Sequence, residues 1–485
     1  MKARALKENI LKKLGRVQEA EELHKESLKI DPLYDRQPEK INHNTLLELM
    51  IDLYEAGDYA QGITLAEKWV EQQNVSRQED IYPLVYYYIA YGYQNLHGKE
   101  NTEQTNHYMT VYVTLGENAV ADGCFPHRTE DYIVLKSLAE DYYLDMVYYY
   151  LGCLLYDRRA YGEAIADYEE AALRYPDFPT VHRNLALAYY NVKKQPQRAY
   201  EEMEKAFALD ETDARVYLEL DQLKKRLNVP VKERWSDMEK HFDLVESRDD
   251  LYLEYVTLLN TLGESEKALN LIKARKFHQW EGGEGKVAAQ YLTALYQLAK
   301  AAVEKEDYAE AKELLLRAVG EYPHNLGEGK LESGQENNLY YLLGLVQEKL
   351  GEAKDAFESL TRACCGESEP VGMMYYNDQP PEMIYYQGLA YRMLGEEEQA
   401  VRRFQKLVDY GREHIRDDVK IDYFAVSLPD LLIFEENLNE RNRKHCLFMM
   451  SLGLKGLGRI DEAEKCAEEL LAMDNAHQGI RVHDL

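Results

Sequence analysis

The stretch LDMVYYYLGCLLYDRRAYGEAIADYEEAALRYPDF, Leu144 to Phe178, decides the architecture of the chain. Its first half sets Leu144, Tyr148, Leu151, Gly152 and Leu155 at helical spacing, and its second half does the same with Tyr161, Ala164, Ile165, Tyr168, Ala171 and Ala172. Gly152, Ala164 and Ala171 are small enough to let two helix backbones approach closely across a tight turn. Pro176 stops the second helix, because proline lacks the backbone N–H and its ring clashes with the preceding turn.

Working outward, the same unit recurs in register. A turn glycine precedes an alanine by five residues in Gly15/Ala20, Gly263/Ala268, Gly351/Ala356, Gly395/Ala400 and Gly458/Ala463, with Gly57/Gly62 a close variant. Where the turn residue differs, the alanine persists, as Ala164 and Ala311. Proline follows that alanine by twelve residues in Ala20/Pro32, Ala164/Pro176 and Ala311/Pro323. The pattern resembles the tetratricopeptide (TPR) repeat, whose period is about 34 residues. The expected fold is all-α: a right-handed TPR-like α-solenoid of about ten to eleven helix pairs.

A solenoid needs no single large core, since each helix pair buries its apolar face against its neighbours. The net charge of −29, from 87 acidic and 58 basic residues, argues against a nucleic-acid partner, which would need clustered Lys and Arg. Anionic membrane surfaces are disfavoured for the same reason. Acidic pairs such as Glu201-Glu202 and Glu468-Glu469 read as the solvated faces of second helices. The six cysteines show no C-x-x-C and no zinc spacing, which fits a reducing compartment, and the start MKARALKENILKKLG lacks a signal-peptide core. A cytoplasmic location is expected. Tyrosine is the compositional oddity, at 40 against 10 Phe and 3 Trp. Neighbouring tyrosines on a helix, as in Tyr86-Tyr87-Tyr88 and Tyr148-Tyr149-Tyr150, point about 100° apart. Some are therefore expected to line a surface.

The chain divides into N-terminal helix pairs (1–118), a connector and helix (119–143), a central array (144–276), a glycine-rich loop (277–286), a C-terminal array (287–410), an apolar insert (411–440) and a final pair (441–485). The first pair sets Leu6, Ile10 and Leu14 against Ala20, Leu23, Ser27 and Leu28 and ends at Asp31-Pro32. Because it already looks like an interior repeat, either another element covers it or the sequence is the C-terminal part of a longer product. The third pair turns at His97-Gly98. The connector Ala121–Arg128 holds His127 and Arg128, which would suit an anion; a turn that packs Phe125 is the alternative. In the loop His278–Lys286 the glycines do not make a phosphate cradle: Trp280 stands in the first glycine's place, Val287 follows the lysine, and no strand precedes. The loop either packs Trp280 on neighbouring helices or offers it to a ligand. The segment Gly327–Gly334 reads as a flexible link, and Met373-Met374-Tyr375-Tyr376 as exposed. Tyr423–Phe434 is too apolar for an idle linker and either packs along the last repeats or docks another domain.

No catalytic motif is present, no cofactor or metal is expected, and the chain reads as a non-enzyme. Recognition is the better reading. In TPR arrays the first helices line the concave face. With Gly152, Ala186, Gly344 and Gly388 as markers, the residues three before are Tyr149, Arg183, Tyr341 and Tyr385 and those four after are Tyr156, Tyr190, Glu348 and Arg392; all but Glu348 are taken as a partner-binding strip. Asn191 joins them, because an amide can donate to and accept from peptide backbone together, and Asn184 shares that chemistry. Rings and arginines suit a protein or peptide partner.

Detailed sequence separates TPR families. Leu187 and Leu345 stand where the chaperone-docking type would carry its asparagine, and no helix-turn-helix of the peptide-pheromone regulators is visible. The connectors CFPHR (124–128), FHQWEGGEGKV (277–287) and DYFAVSLPDLLIF (422–434) resemble the C-terminal TPR region of a large bacterial family, with Gln279 in place of an expected proline. That resemblance implies an upstream β-rich, mutarotase-like domain of unknown function and an association with carbohydrate utilisation. It transfers no catalytic residue. On that reading the repeats position the upstream domain, which is then the partner.

Overall fold

The structure, a computed structural model, describes residues 2–31, 42–76, 81–96, 103–119, 121, 123–142, 144–280, 282–331, 334–371, 379–420 and 433–483. Among the described residues the regular elements are α-helices, apart from a 3₁₀ turn at His324–Leu326. They form two compact units, Met1–Ala188 and Tyr189–Leu485. In unit 1, α1 (Lys2–Lys13) pairs with α2 (Val17–Ile30), α3 (His43–Glu55) with α4 (Tyr59–Ser76), and α5 (Pro83–Leu96) with α6 (Glu103–Asn118). A lone α7 (Thr129–Asp141) precedes the pair α8 (Met146–Asp157) and α9 (Tyr161–Arg174). The unit boundary falls inside α10 (Pro179–Asn191), which is followed by α11 (Pro196–Leu209).

Unit 2 continues with α12 (Ala214–Arg226), α13 (Val231–Lys240) and α14 (Phe242–Ser247). Regular pairs follow: α15 (Asp249–Leu262) and α16 (Ser265–Ala274), then α17 (Lys286–Glu304) and α18 (Tyr308–Val319). Next come α19 (Asn337–Lys349) and α20 (Ala353–Ala363), and α21 (Met383–Met393) and α22 (Glu397–His414). The last pair is α23 (Leu438–Gly456) and α24 (Ile460–Met473), trailed by the short α25 (Gln478–Val482). The all-α, TPR-like expectation is met, and the pair count agrees with it. The first helices of successive pairs pack on one another, α15 on α17, α19 on α21 and α21 on α23, so they form one layer within the unit.

The turns explain the sequence register. Gly15, Gly57, Gly263, Gly351, Gly395 and Gly458 all have left-handed φ, the conformation that favours glycine. At Gly263 the N–H donates to Asn260 O at 3.2 Å and the next N–H, of Glu264, donates to Leu259 O at 2.9 Å, which satisfies the last carbonyls of α15. Glu264 O then accepts the N–H of Ala268 at 3.0 Å and starts α16. Arg159, Lys194 and Glu306 take the same left-handed place in other turns, each five residues before a fully buried alanine: Ala164, Ala199 and Ala311. The small residue, alanine or at Gly62 glycine, is the constant rather than the turn glycine, because it sits where the paired helices touch.

Four expectations are corrected. In α1 the buried face carries Glu8 and Leu11, while Ile10 and Leu14 are 44% and 64% exposed. Polar clasps set that rotation: Arg4 pairs with Glu26 at 2.8 Å, and Glu8 meets His24 at 3.1 Å. Tyr86, Tyr87 and Tyr88 line no surface; all three are buried because α5 is packed by α3, α4, α6 and α7 together. In the connector Phe125 is 74% exposed and Cys124 is the buried residue. The segment from Gly327 is more than a link, because the Glu328 carboxylate accepts the N–H groups of Gly285 and Ala288 at 2.7 and 2.8 Å and so caps α17. Asp31-Pro32 runs out of the described residues at Pro32. The turn His97-Gly98, Met373-Met374-Tyr375-Tyr376 and residues 421–432 of the insert also lie outside them. The described end of the insert, Ile433–Asn437, bonds to Asn191 of α10 and Arg226 of α12.

Candidate partner-binding site

The strip read from the sequence is divided between the two units. In unit 1, Tyr149 is half-buried; its ring meets Phe178 edge-on at 5.0 Å and Tyr150 at 5.3 Å. Burial raises its hydroxyl pKa, with Cys153 adding to the effect. Tyr156 packs on Tyr161 at 4.9 Å, and Arg183 lies beside Asn184 at 3.5 Å. In unit 2, Tyr385 is buried against Phe404, 5.7 Å between ring centres, and Tyr341 is half-buried near Tyr386. Arg392 is exposed and paired with Glu397 at 2.9 Å. In the connector, His127 and Arg128 donate their backbone N–H groups at 2.9 and 3.0 Å to Asp131, a fully buried carboxylate that also accepts from Tyr88 Oη at 2.8 Å.

Asn191, Tyr190 and Trp280 come together at a different feature. The last turn of α10 carries Asn191, whose amide donates to Ile433 O at 2.8 Å and accepts from Glu435 N–H at 2.9 Å. Arg226, on the last turn of α12, donates to Phe434 O at 3.3 Å, and the fully buried Phe434 ring meets Tyr190 at 5.1 Å. This is a two-point grip on non-helical backbone, and the backbone held belongs to the chain itself. Beside it opens a cavity of about 720 Å³ within unit 2, walled by α12, α15, α17, the segment 433–437 and the start of α23. Trp280 lies on its wall, seated on Gly283, where an added Cβ would fall 2.3 Å from the indole.

The cavity wall presents both signs of charge as ready-made pairs. Arg215 meets Glu219 at 3.2 Å, Arg248 meets Asp250 at 2.7 Å, and Arg441 meets Glu436 at 3.2 Å. Behind it Arg234, wholly buried, bridges Asp221 at 2.6 Å and Glu254 at 2.7 Å. Burial works against the Glu254 charge, but Lys225 and Arg234 outweigh it and hold the carboxyl down at about 2. Such a wall offers donors and acceptors to polar chain and one indole face to a ring or aliphatic group. Among the described residues no group of three or more His, Cys, Asp or Glu could hold a metal ion.

Sequence reasoning passed over Gln290, Lys300, Tyr386 and Lys455. They lie on α17, α21 and α23 and touch the segment Asn475–His483. Gln290 meets Gln478 at 3.0 Å, and Lys300 donates to Val482 O at 3.0 Å. Lys455 donates to His483 O at 3.2 Å, and Tyr386 Oη shares a hydrogen bond with His483 Nδ1. The marker rule selected Tyr385, three before Gly388, whereas its neighbour Tyr386 is the one turned to this segment.

Family models agree with the repeat reading over part of the chain. A tetratricopeptide-repeat family model matches residues 149–214 and 296–370, and a second one matches 382–410. Among solved structures the chain is similar to yeast Tom70, at 12% identity over 99% of this chain and 94% of that one, with a TM-score of 0.33. It is also similar to a tetratricopeptide repeat protein from Parabacteroides merdae, at 14% identity over 63% of this chain and 98% of that one, with a TM-score of 0.24. The chain carries tetratricopeptide repeats. Among the described residues no helix is long and apolar enough to cross a membrane.

Proposed function

We propose that the chain is a non-catalytic TPR scaffold that binds a protein or peptide through its first helices. The observation that carries the reading is Asn191, a first-helix amide that holds an N–H and a C=O of one non-helical segment at 2.9 and 2.8 Å. That grip reads backbone, so it serves any chain of suitable shape. Trp280 and the paired charges of the cavity would add side-chain preference. Tyr149, Tyr156 and Arg183 are the proposed recognition residues of unit 1, and Tyr190, Tyr341, Tyr385 and Arg392 are, separately, those of unit 2. His127 and Arg128 are secondary loop candidates. Six unpaired cysteines fit a cytoplasmic setting. The test is a pull-down from the source organism with wild type and a Trp280→Ala/Arg392→Glu variant, which changes exposed or half-buried positions. Loss of captured protein is expected, and identical captures would remove this surface.

A second reading has one observation in its favour. Ile10 and Leu14, one turn apart on α1, and Val17 at the start of α2 are exposed, and apolar side chains so placed suit a covering domain. The repeats would then position the β-rich, carbohydrate-associated domain that the connectors imply. Translating the DNA upstream of Met1 tests it: an in-frame β-rich segment is expected, and its absence would remove the reading.

A further inference from the structure

The segment Asn475–His483 is held as a ligand is held. Its helix α25 lies on the first helices: it packs on α15, and side chains of α17, α21 and α23 bond to it. Two cations from different helices, Lys300 and Lys455, take the carbonyls of Val482 and His483, a contact that favours the C-terminal end of a short helix whatever its sequence. Specificity comes from three further features. Ile480 and Val482 are buried. Gly479 lies on Phe448 so closely that a Cβ would fall 2.7 Å from the ring. The imidazole of His483 is buried between Phe448, 5.7 Å away, and the paired hydroxyls of Tyr386 and Tyr296, which are 3.1 Å apart. At its near end the segment is hinged on Asn228, whose Oδ1 accepts the N–H of Asn475 and whose carbonyl accepts the Asn475 amide. Met473 and Asp474, just before it, border the open cavity, so the occupied and open parts of this face are continuous.

We propose that this face of unit 2 is a peptide-binding groove, that it takes a protein segment of the form Gly-Ile-x-Val-His ending a helical turn, and that Asn475–His483 is a built-in competitor for it. An external segment of that chemistry enters when the resident one leaves. The groove deepens the scaffold reading and rests on it.

The test uses the full chain with Ile480→Asp to expel the resident segment, and a fluorescent peptide spanning Asn475–His483 as the probe. The variant should bind the probe at least tenfold more tightly than wild type, and adding Lys300→Ala and Lys455→Ala should abolish the gain. A variant of unchanged helicity that ignores the probe, or wild type and variant binding equally, overturns the proposal. Should Ile480→Asp lose helicity, hydrogen exchange on the wild type decides instead. Excess unlabelled peptide must speed exchange of amides 479–483, and unchanged exchange overturns the groove. The probe is this chain's own sequence and needs no outside partner, so failure here leaves the pull-down outcome standing, and the reverse holds too.

Discussion

Compare the tyrosines of α5 in unit 1 with those of α21 in unit 2. Tyr86, Tyr87 and Tyr88 are all buried, and their hydroxyls serve the interior of unit 1: Tyr87 donates to Glu117 at 2.7 Å and Tyr88 to Asp131 at 2.8 Å. Tyr385 and Tyr386 divide the work. Tyr385 packs on the second helix through Phe404, while Tyr386 turns to a distant segment of its own unit. The same residue type at the same kind of position is cement in one unit and contact in the other. The number of neighbours does not decide it, since α5 packs on α3, α4, α6 and α7, and α21 on α19, α20, α22 and α23; the difference is that Tyr386 also reaches His483 at the end of α25. A tyrosine-rich repeat is therefore no sign by itself of a binding face.

Three measurements break or sharpen that contrast. The largest effect is expected from Arg234→Ala, which leaves Asp221 buried without its partner behind the unit 2 cavity. Removing one member of a buried pair costs about 3–5 kcal/mol, read as a fall in the urea midpoint. A loss below about 1 kcal/mol would mean that the cavity wall is not held from behind.

A smaller effect is expected from pH. Burial, with Lys300, His477 and Lys455 adding to it, pushes the docked His483 imidazole down to about 3, from an ordinary value of 6.5. Tyr386 and Tyr296 complete its surroundings. Above pH 6.5 the imidazole is neutral docked or released, and docking is at full strength. As pH falls below 6.5 only the released segment takes the proton, so docking weakens by up to about 1.4 kcal/mol per pH unit. Exchange of amides 479–483, taken relative to the intrinsic amide rate at each pH, should therefore quicken between pH 6.5 and 5 by roughly sixteenfold, a change of about 1.7 kcal/mol. His483→Phe should flatten the profile, and a flat profile in the wild type would place His483 outside the contact.

The smallest effect is expected in unit 1. Tyr150 Oη is buried with no hydrogen-bond partner among the described residues. Tyr150→Phe should be neutral or stabilising, by about 0–1 kcal/mol in the same urea experiment. A clear destabilisation would show that this hydroxyl has work to do.

How much of this was legible beforehand follows from range. The glycine-to-alanine interval located nearly every turn, because a left-handed residue and a small contact residue are local demands. Lys194 escaped notice although Ala199 keeps the interval, since a lysine carries no sign of left-handed backbone. Asn191 was legible as a backbone-gripping side chain, but what it grips lies 242 residues away, and no periodicity carries that information. Lys300 and Lys455 were invisible for the same reason. Arg234 carries no local mark in the sequence. Its burial follows from α13 packing on α15, which the irregular stretch at Asn228-Val229-Pro230 did not disclose.

The bond between Asn191 and Ile433 also sets a clock. Helical repeats ordinarily assemble from neighbours, each finished soon after it is made. Here α10 is complete long before its clasp exists, for 242 residues separate donor from acceptor. At a synthesis rate of about 5–20 residues per second, Asn191 waits roughly 12–48 s for Ile433 to be made. During that interval the nascent chain shows bare the side chains that later hold the segment around Phe434.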